Sequence, residues 1–137
     1  MESPKELFRE WFERVWNQGD EAAIFELMHP EGEILGLGTT VMGREGFAGY
    51  HRAFRRGFSE ILIEIVDLVG EDEAVAGHAR FSAVHGESGR EVDIFLSFAG
   101  RFEDGKLRWV RNVVDFTALL SQVGSIDPRA VNLLFEP

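Results

Sequence analysis

The sequence contains no cysteine and little basic charge, and these two shortages exclude several classes of protein. Without cysteine there can be no disulfide, no thiolate metal site and no cysteine nucleophile. The 14 Lys and Arg residues are outnumbered by 24 Asp and Glu residues, so the formal net charge is -10. Nucleic acids and anionic membrane surfaces attract clustered positive charge, and here the only basic cluster is small: it comprises Arg44, Arg52, Arg55 and Arg56. We therefore expect neither nucleic acid nor a membrane as a partner.

Long apolar runs are also missing, since no stretch approaches the roughly 20 residues of a membrane span. The first residues are charged throughout and lack the apolar core of a signal peptide, which predicts a cytoplasmic protein. Apolar residues still make up 45% of the chain, and 12 residues are phenylalanine, so a substantial core can form. Because we find no repeat and no Pro/Ser-rich linker, we expect one domain over residues 1–137, with residues 118–137 as a C-terminal extension.

The first half of the chain has mainly helical patterns. Ser3 and Glu6 have the spacing of a capping box, and the apolar residues that follow recur at the spacing of one buried helix face. Gly19 ends this helix and Asp20 can cap the next one. The predicted elements are a helix from Pro4, a short helix over 21–28, a chain break at 29–32, a short strand over 33–37 and a helix over 45–56.

The second half alternates with the period of strands. Strands are predicted over 59–69, 74–85, 90–103 and 106–116, and a helical segment is predicted from Thr117. Asp104-Gly105 is a strong hairpin turn signal, and residues 86–89 form another turn. Helices followed by an antiparallel meander predict an α+β fold with the helices on one face of the sheet.

Several short motifs resemble the nuclear transport factor 2-like superfamily. Asn17-Gln18-Gly19-Asp20 resembles its "W-N-x-G-D" motif, and Gly43-Arg44-Glu45-Gly46-Phe47 resembles the start of one of its helices. The stretch from Phe102 to Leu107, with Asp115 and Phe116 further on, resembles its C-terminal strands. Ser121-Gln122-Val123-Gly124 is similar to a motif of the SnoaL-like polyketide cyclases. The resemblance covers about residues 4–124, and its specificity comes from the order of the motifs.

The resemblance implies a cone-shaped barrel, in which a strongly curved, mainly antiparallel mixed sheet wraps around the N-terminal helices. Members of this superfamily act as cyclases, isomerases, dehydratases and epoxide hydrolases, and others are binding or dimerisation modules. By this resemblance we expect a cofactor-independent protein, a homodimer and a pocket for an apolar small molecule.

Asp115 is the principal catalytic candidate, because it lies inside the otherwise apolar predicted strand over 106–116. Burial would raise the pKa of its carboxyl towards that of a general acid or base. In SnoaL-like cyclases, and in the limonene-epoxide hydrolase-like branch, the resemblance assigns this position a catalytic aspartate. The alternative is that Asp115 caps the following helix from the surface.

Two arginines complete the predicted catalytic group. Arg111 matches the epoxide-hydrolase pattern, and either Arg111 or Arg80 would stabilise negative charge on a substrate oxygen. That branch carries a second carboxylate near the arginine, but Arg80-Phe81-Ser82 has none, which argues against a paired epoxide-opening mechanism. Strand alternation also places Arg80 opposite the core residue Phe81, so an inward Arg80 needs a bulge.

Candidate ligand-binding residues come from the aromatic and histidine positions. Trp16 and Trp109 are predicted pocket walls, and Tyr50 and His51 lie on the helix that borders the pocket in this fold. His85 partly matches a cyclase motif before a hairpin. No histidine pair has the spacing of a metal site, so we expect no metal. Each aromatic residue could instead serve only as core.

Two functions therefore remain open. The first is a small SnoaL-like enzyme that transfers a proton through Asp115 on an apolar substrate. The second is a non-catalytic ligand-binding or dimerisation module of the same fold. An exposed Asp115, or a barrel filled by phenylalanine side chains, would favour the second.

Overall fold

The computed structural model describes residues 2–135 and has the predicted α+β organisation. Its helices are α1 (Pro4–Trp11), a π-helical segment that continues α1 (Phe12–Asn17), α2 (Glu21–Leu27), α3 (Arg44–Gly57), α4 (Phe116–Gln122) and a final 3-10 helix (Pro128–Leu134). Its strands are β1 (Met28–Leu35), β2 (Phe58–Glu71), β3 (Ala74–His85), β4 (Glu91–Glu103) and β5 (Lys106–Val114). Among residues 2–135, no helix combines the length and apolarity needed to cross a membrane.

The five strands form one mixed sheet in the order β1-β5-β4-β3-β2. Strand β1 runs parallel to β5, and every other neighbouring pair is antiparallel. Strands β1 and β2 are the two edges, so the sheet is not closed into a complete barrel. The buried residues of α1, α3 and the π-helical segment join those of the sheet in one apolar core.

The first helix begins as its sequence predicts. The Ser3 hydroxyl accepts a hydrogen bond from the Glu6 backbone N–H at 3.3 Å, and the Glu6 carboxylate accepts one from the Ser3 N–H at 3.2 Å. This is a complete capping box, and it satisfies two donors that the first helical turn leaves open. The sequence pattern did not predict the π-helical segment that follows; the chain then turns away at Gly19, where φ is +67°.

The predicted chain break at residues 29–32 is wrong, because these residues lie within β1. Pro30 is tolerated there because β1 is an edge strand, so the missing N–H of a proline need not cost a bond to a neighbouring strand. The pairing of β1 with β5 is irregular between Met28 and Glu33, so the prolyl segment forms a bulge rather than an end.

Strands β3 and β4 follow the predicted alternation. The buried positions of β4 are Val92, Ile94, Leu96, Phe98, Gly100 and Phe102, and the core face of β3 includes Val75, Ala79 and Phe81. The turn at Asp104-Gly105 has positive φ at both residues, +52° and +74°, as a tight hairpin requires. Alternation therefore identifies the concave, core-facing side of the sheet correctly for these two strands.

Two side-chain amides bind backbone that has no strand on one side: Ile63 on the edge strand β2, and Asp93 on β4 before its pairing with β5 begins at Leu96. The Asn17 Oδ1 accepts from the Ile63 N–H at 2.7 Å while its Nδ2 donates to the Ile63 carbonyl at 3.1 Å. The Gln122 Oε1 accepts from the Asp93 N–H at 2.7 Å while its Nε2 donates to the Asp93 carbonyl at 2.9 Å. Each amide thereby replaces the backbone of a missing strand, which gives both motif residues a structural role.

The expected boundary of a C-terminal extension at residue 118 falls inside α4. Leu119 of this helix is buried, and Gln122 fastens the helix to β4, so α4 belongs to the core of the fold. The chain beyond Gly124 is largely exposed, including the side chains of Leu133 and Phe135.

Candidate functional site

A cavity lies between the helices and the concave face of the sheet. The cavity volume is about 60 Å³. Together with the open space at its mouth, the atom-free volume is about 620 Å³. Most of the lining is aromatic or aliphatic, and none of the lining residues among 2–135 is charged: they are Trp11, Phe12, Trp16, Ile34, Leu37, Phe47, Tyr50, Phe54, Ile63, Phe81, Ile94, Leu96, Val110, Asn112, Val114, Phe116 and Leu119. The phenylalanine side chains thus narrow the interior without filling it.

Asn112 provides the only amide side chain in this lining. It lies on β5 between Val110 and Val114, and all three residues line the cavity. Its Nδ2 donates a hydrogen bond to the Leu35 carbonyl at 3.0 Å. Because a carbonyl can only accept, this bond fixes which end of the amide is nitrogen. The Oδ1 and the second N–H therefore remain for a bound molecule.

The end of β1 is closely fitted to Asn112. Gly36 follows Leu35 with φ at +87°, and a Cβ at this position would collide with the Asn112 carbonyl oxygen. Only glycine allows the two backbones to approach in this way. The glycine therefore helps to hold the Leu35 carbonyl where the Asn112 side chain meets it.

Tyr50 and Trp16 give the cavity neutral polar groups. Trp16 is only 7% exposed, and Tyr50, which lies on α3, lines the same cavity. Burial raises the pKa of the Tyr50 phenol, so this hydroxyl is neutral at physiological pH. The structure therefore brings Trp16 and Tyr50, of all the residues predicted for the site, to the cavity.

The structure does not bring Asp115 into the cavity. Its carboxylate is exposed, and its Oδ1 accepts a hydrogen bond from the Ala118 backbone N–H at 3.0 Å as the N-cap of α4. The alternation of β5 explains this position, because Val110, Asn112 and Val114 take the inner face and their neighbours take the outer one. Capping from the surface, the alternative considered for Asp115, is the arrangement found.

Arg111 and Trp109 also lie outside the cavity. The Arg111 guanidinium carbon lies 4.6 Å from the centre of the Trp109 ring, and Arg111 is exposed. Both residues lie at outward-facing positions of β5. Trp109 therefore does not form a wall of this cavity, contrary to the prediction. Their stacking is a cation–π contact on the outer surface of the sheet.

Arg80 likewise points away from the cavity. Its Nε donates to the Asp93 Oδ1 at 2.7 Å, and its Nη2 contacts the other carboxylate oxygen. The hydrogen bond from Arg80 lowers the pKa of the Asp93 carboxyl. Pairing between β3 and β4 is regular at Arg80, so the bulge that an inward arginine requires is absent there. Phe81, the next residue, takes the inner position.

The two predicted histidines do not line the cavity. His51 is 1% exposed and lies behind the wall, where its Nε2 is 2.6 Å from the Val15 carbonyl oxygen. His85 lies at the β3–β4 hairpin, and its Nδ1 is 2.8 Å from the Ser88 hydroxyl.

One group of possible metal ligands occurs elsewhere in the described residues. The ligand atoms of His29, Glu103 and Asp104 lie within 4.8 Å of one another. Each of the first two already has a partner, since the His29 Nδ1 accepts from the Glu31 N–H at 3.0 Å and Glu103 pairs with Arg108 at 3.4 Å. We assign no metal to this cluster.

Sequence reasoning did not select Asn112, although the necessary pattern was present. Asn112 alternates with Val110, Val114 and Phe116, and such a mainly apolar set is typical of the inner face of a strand. Asn112 is the polar residue within that set, and it lines the cavity.

The SnoaL-like domain model matches residues 8–111, most of the 137-residue chain. IdmH of Streptomyces antibioticus, proposed to be a polyketide cyclase, is 22% identical with a TM-score of 0.81, over 90% of this chain and 99% of its own. AclR of Streptomyces galilaeus, proposed to be a hydroxylase, is also 22% identical, with a TM-score of 0.79 over 90% of this chain and 96% of its own.

A third similar solved structure contains a small ligand. A protein of Catenulispora acidiphila with a ketosteroid isomerase-like fold, in complex with trimethylamine, is 15% identical, with a TM-score of 0.79 over 90% of this chain and 95% of its own. A search of curated protein sequences finds no significant match. The structural similarities establish the fold, and the family match establishes that this chain belongs to the SnoaL-like domain family.

Proposed function

We propose that the protein binds an uncharged, largely apolar small molecule, with a carbonyl or hydroxyl oxygen at Asn112. The observation that carries this proposal is the cavity itself, whose aromatic and aliphatic walls, as far as the described residues form them, contain one side-chain amide and no charge. Burial of apolar ligand surface against these walls supplies the affinity. The amide supplies orientation, because its free N–H and Oδ1 can donate to or accept from the ligand.

The same cavity discriminates against charged ligands. A carboxylate or ammonium group would lose its hydration on entry, and no described lining residue offers an opposite charge. The pKa of the Tyr50 phenol is raised for the same reason, because its charged form would lose hydration on burial. We therefore expect a neutral ketone to bind better than a carboxylate of the same size.

Calorimetric titration of three naphthalene compounds tests this proposal. We expect 2-acetonaphthone to bind about fivefold more tightly than naphthalene, the value of one hydrogen bond of about 1 kcal/mol, and 2-naphthoate to bind more weakly than both. The Asn112→Leu variant should lose the preference for the ketone. The matched control is Asn132→Leu on the exposed 3-10 helix, which should keep it. Tightest binding by 2-naphthoate, or an unchanged preference in Asn112→Leu, would refute the proposal.

A proton-transferring enzyme of the cyclase type is the second candidate, supported by the family and by one feature of α4. Asp115 lies between Val114 and Phe116, which both line the cavity. Freeing its carboxylate from the Ala118 N–H costs about 1 kcal/mol, the value of one N-cap. In this candidate the Asp115 carboxylate removes a proton from the carbon beside a carbonyl, and Asn112 donates to the resulting enolate oxygen. Arg80 and Arg111, which face outward, take no part.

Deuterium exchange tests the second candidate without a known substrate. The methyl protons of 2-acetonaphthone exchange with D₂O only if a base removes a proton and a deuteron returns to the same carbon. Under this candidate, the wild-type protein accelerates the exchange in the NMR spectrum and Asp115→Asn does not. Asparagine is an equally good N-cap, so the variant should keep its fold and its ligand affinity. Equal exchange by both proteins would eliminate Asp115 as the base.

We also infer a homodimer, formed through the outer face of the sheet. This face exposes apolar side chains, among them Val113 at 74% and Phe95 at 50%, and a second copy can cover both. Size-exclusion chromatography with light scattering tests this inference, and a monomer at all concentrations would contradict it.

A further inference from the structure

His51 is a fully buried histidine directly behind the cavity wall. It lies on α3 and is 1% exposed. Its ring meets Trp16, a lining residue, edge to face with 5.1 Å between ring centres. Its Nε2 lies 2.6 Å from the carbonyl oxygen of Val15, the residue before Trp16. The ring therefore connects α3 to the part of the π-helical segment that positions this wall.

The contact with Val15 fixes the tautomer of His51. Val15 lies in the last turn of the π-helical segment, where backbone carbonyls have no N–H partner within the helix. Because a carbonyl can only accept, the Nε2 of His51 must carry the proton. The Nδ1 is then a bare acceptor, and among the described residues it is a buried atom with no hydrogen-bond partner.

The surroundings of His51 oppose a second proton. Protonation would create a buried N–H at Nδ1 that has no acceptor. The charged groups that act on the ring are Arg55 and Arg52 of its own helix and Glu21 of α2. The two arginines repel an imidazolium, and Glu21 already pairs with Arg52 at 2.7 Å. Burial is the largest influence and lowers the pKa of His51; the hydrogen bond to Val15 and the charge of Glu21 raise it, the two arginines lower it, and the net shift is downward.

We propose that His51 is a positioning residue of the cavity and makes it sensitive to acid: its neutral ring holds Trp16 in the wall, and protonation of the ring releases the wall and the bound ligand. The ligand part of this inference rests on the proposed function. The structural part, the loosening of the buried ring from Trp16 in acid because a protonated Nδ1 has no acceptor there, does not depend on it.

Binding of 2-acetonaphthone between pH 8 and pH 5 tests the inference, since this ketone does not ionise in the range. We expect constant affinity at the alkaline end and a fall in acid of up to about tenfold per pH unit, as one coupled proton allows. His51→Gln retains an N–H that can reach the Val15 carbonyl and cannot titrate, so its affinity should remain nearly constant. The matched control, His78→Gln, changes a histidine outside the cavity that contacts Ser97, and should follow the wild type.

Two measurements without ligand separate this inference from the proposed function. The near-ultraviolet circular dichroism of the wild type should change as the pH falls, and the histidine NMR titration should place His51 below the ordinary value of about 6.5. If 2-acetonaphthone binds at no pH, the proposed function fails, and these measurements still decide the role of His51. A His51 that titrates at or above 6.5, or equal acid sensitivity in wild type and His51→Gln, would overturn the inference. The NMR titration needs no variant, so it stands even if His51→Gln does not fold.

Discussion

Replacing Asn17 with alanine tests whether a side-chain amide stabilises the open edge of the sheet. The change removes the bonds to the Ile63 N–H and carbonyl, at 2.7 Å and 3.1 Å, and leaves both backbone groups without a partner. An unpaired buried group costs about 1–3 kcal/mol. Because this edge is only partly buried, we take the lower end for each group and expect a loss of about 2 kcal/mol in the free energy of unfolding.

Urea denaturation measures this loss directly. The midpoint should fall and the m-value should stay constant, because the surface exposed on unfolding hardly changes. Asn17→Asp should lose at least as much, since its carboxylate cannot donate to the Ile63 carbonyl and would face Glu13, which Asn17 contacts at 2.9 Å. The exposed Asn132→Ala is the control and should cost under about 0.5 kcal/mol. A loss of that small size for Asn17→Ala would refute the reasoning.

Three further predictions concern the cavity and its borders. Gly36→Ala should cost more than about 3 kcal/mol by urea denaturation, because positive φ and a collision with the Asn112 carbonyl act together, whereas Gly89→Ala, with positive φ but open space, should cost about 1 kcal/mol. Asp115→Ala should lower stability by about 1 kcal/mol, and an equal loss in Asp115→Asn would contradict its role as a cap. The pKa of His51 is lowered, so the unfolded chain binds more protons than the folded one below about pH 6.5. His51 should therefore not reduce the free energy of unfolding above that pH. Below it, this group should reduce the free energy of unfolding by at most about 1.4 kcal/mol per pH unit. A pH profile of stability equal to that of His51→Gln would contradict this prediction.

Local rules predicted most elements of this fold, because those elements depend on neighbouring residues. The capping box at Ser3 and the turn at Asp104-Gly105 satisfy backbone geometry within a few residues. The extent of β1 could not be predicted in the same way. Residues 29–32 have the composition of a break, and only their pairing beside β5 draws them into the sheet.

The candidate site was harder to predict, because strand alternation separates two faces without saying which one is inside. On β5, the carboxylate of Asp115 directed attention to the outer face, while Asn112 lay on the inner face. The Val113 side chain illustrates the difficulty, since it is apolar yet 74% exposed. Pairing with β4 decides the matter, and that information lies outside the strand itself.

The parallel pairing of β1 with β5 has a consequence for the order of folding. The other neighbouring strands are joined by tight turns or, for β5 and β4, by the Asp104-Gly105 hairpin, so they can form locally. Strand β1 must wait for α3 and three strands to be in place before its partner is available. Contacts of such long sequence separation form slowly. During synthesis on the ribosome, Asn112 and the Leu35 carbonyl should therefore meet last, and the cavity should be completed only when nearly the whole domain has emerged.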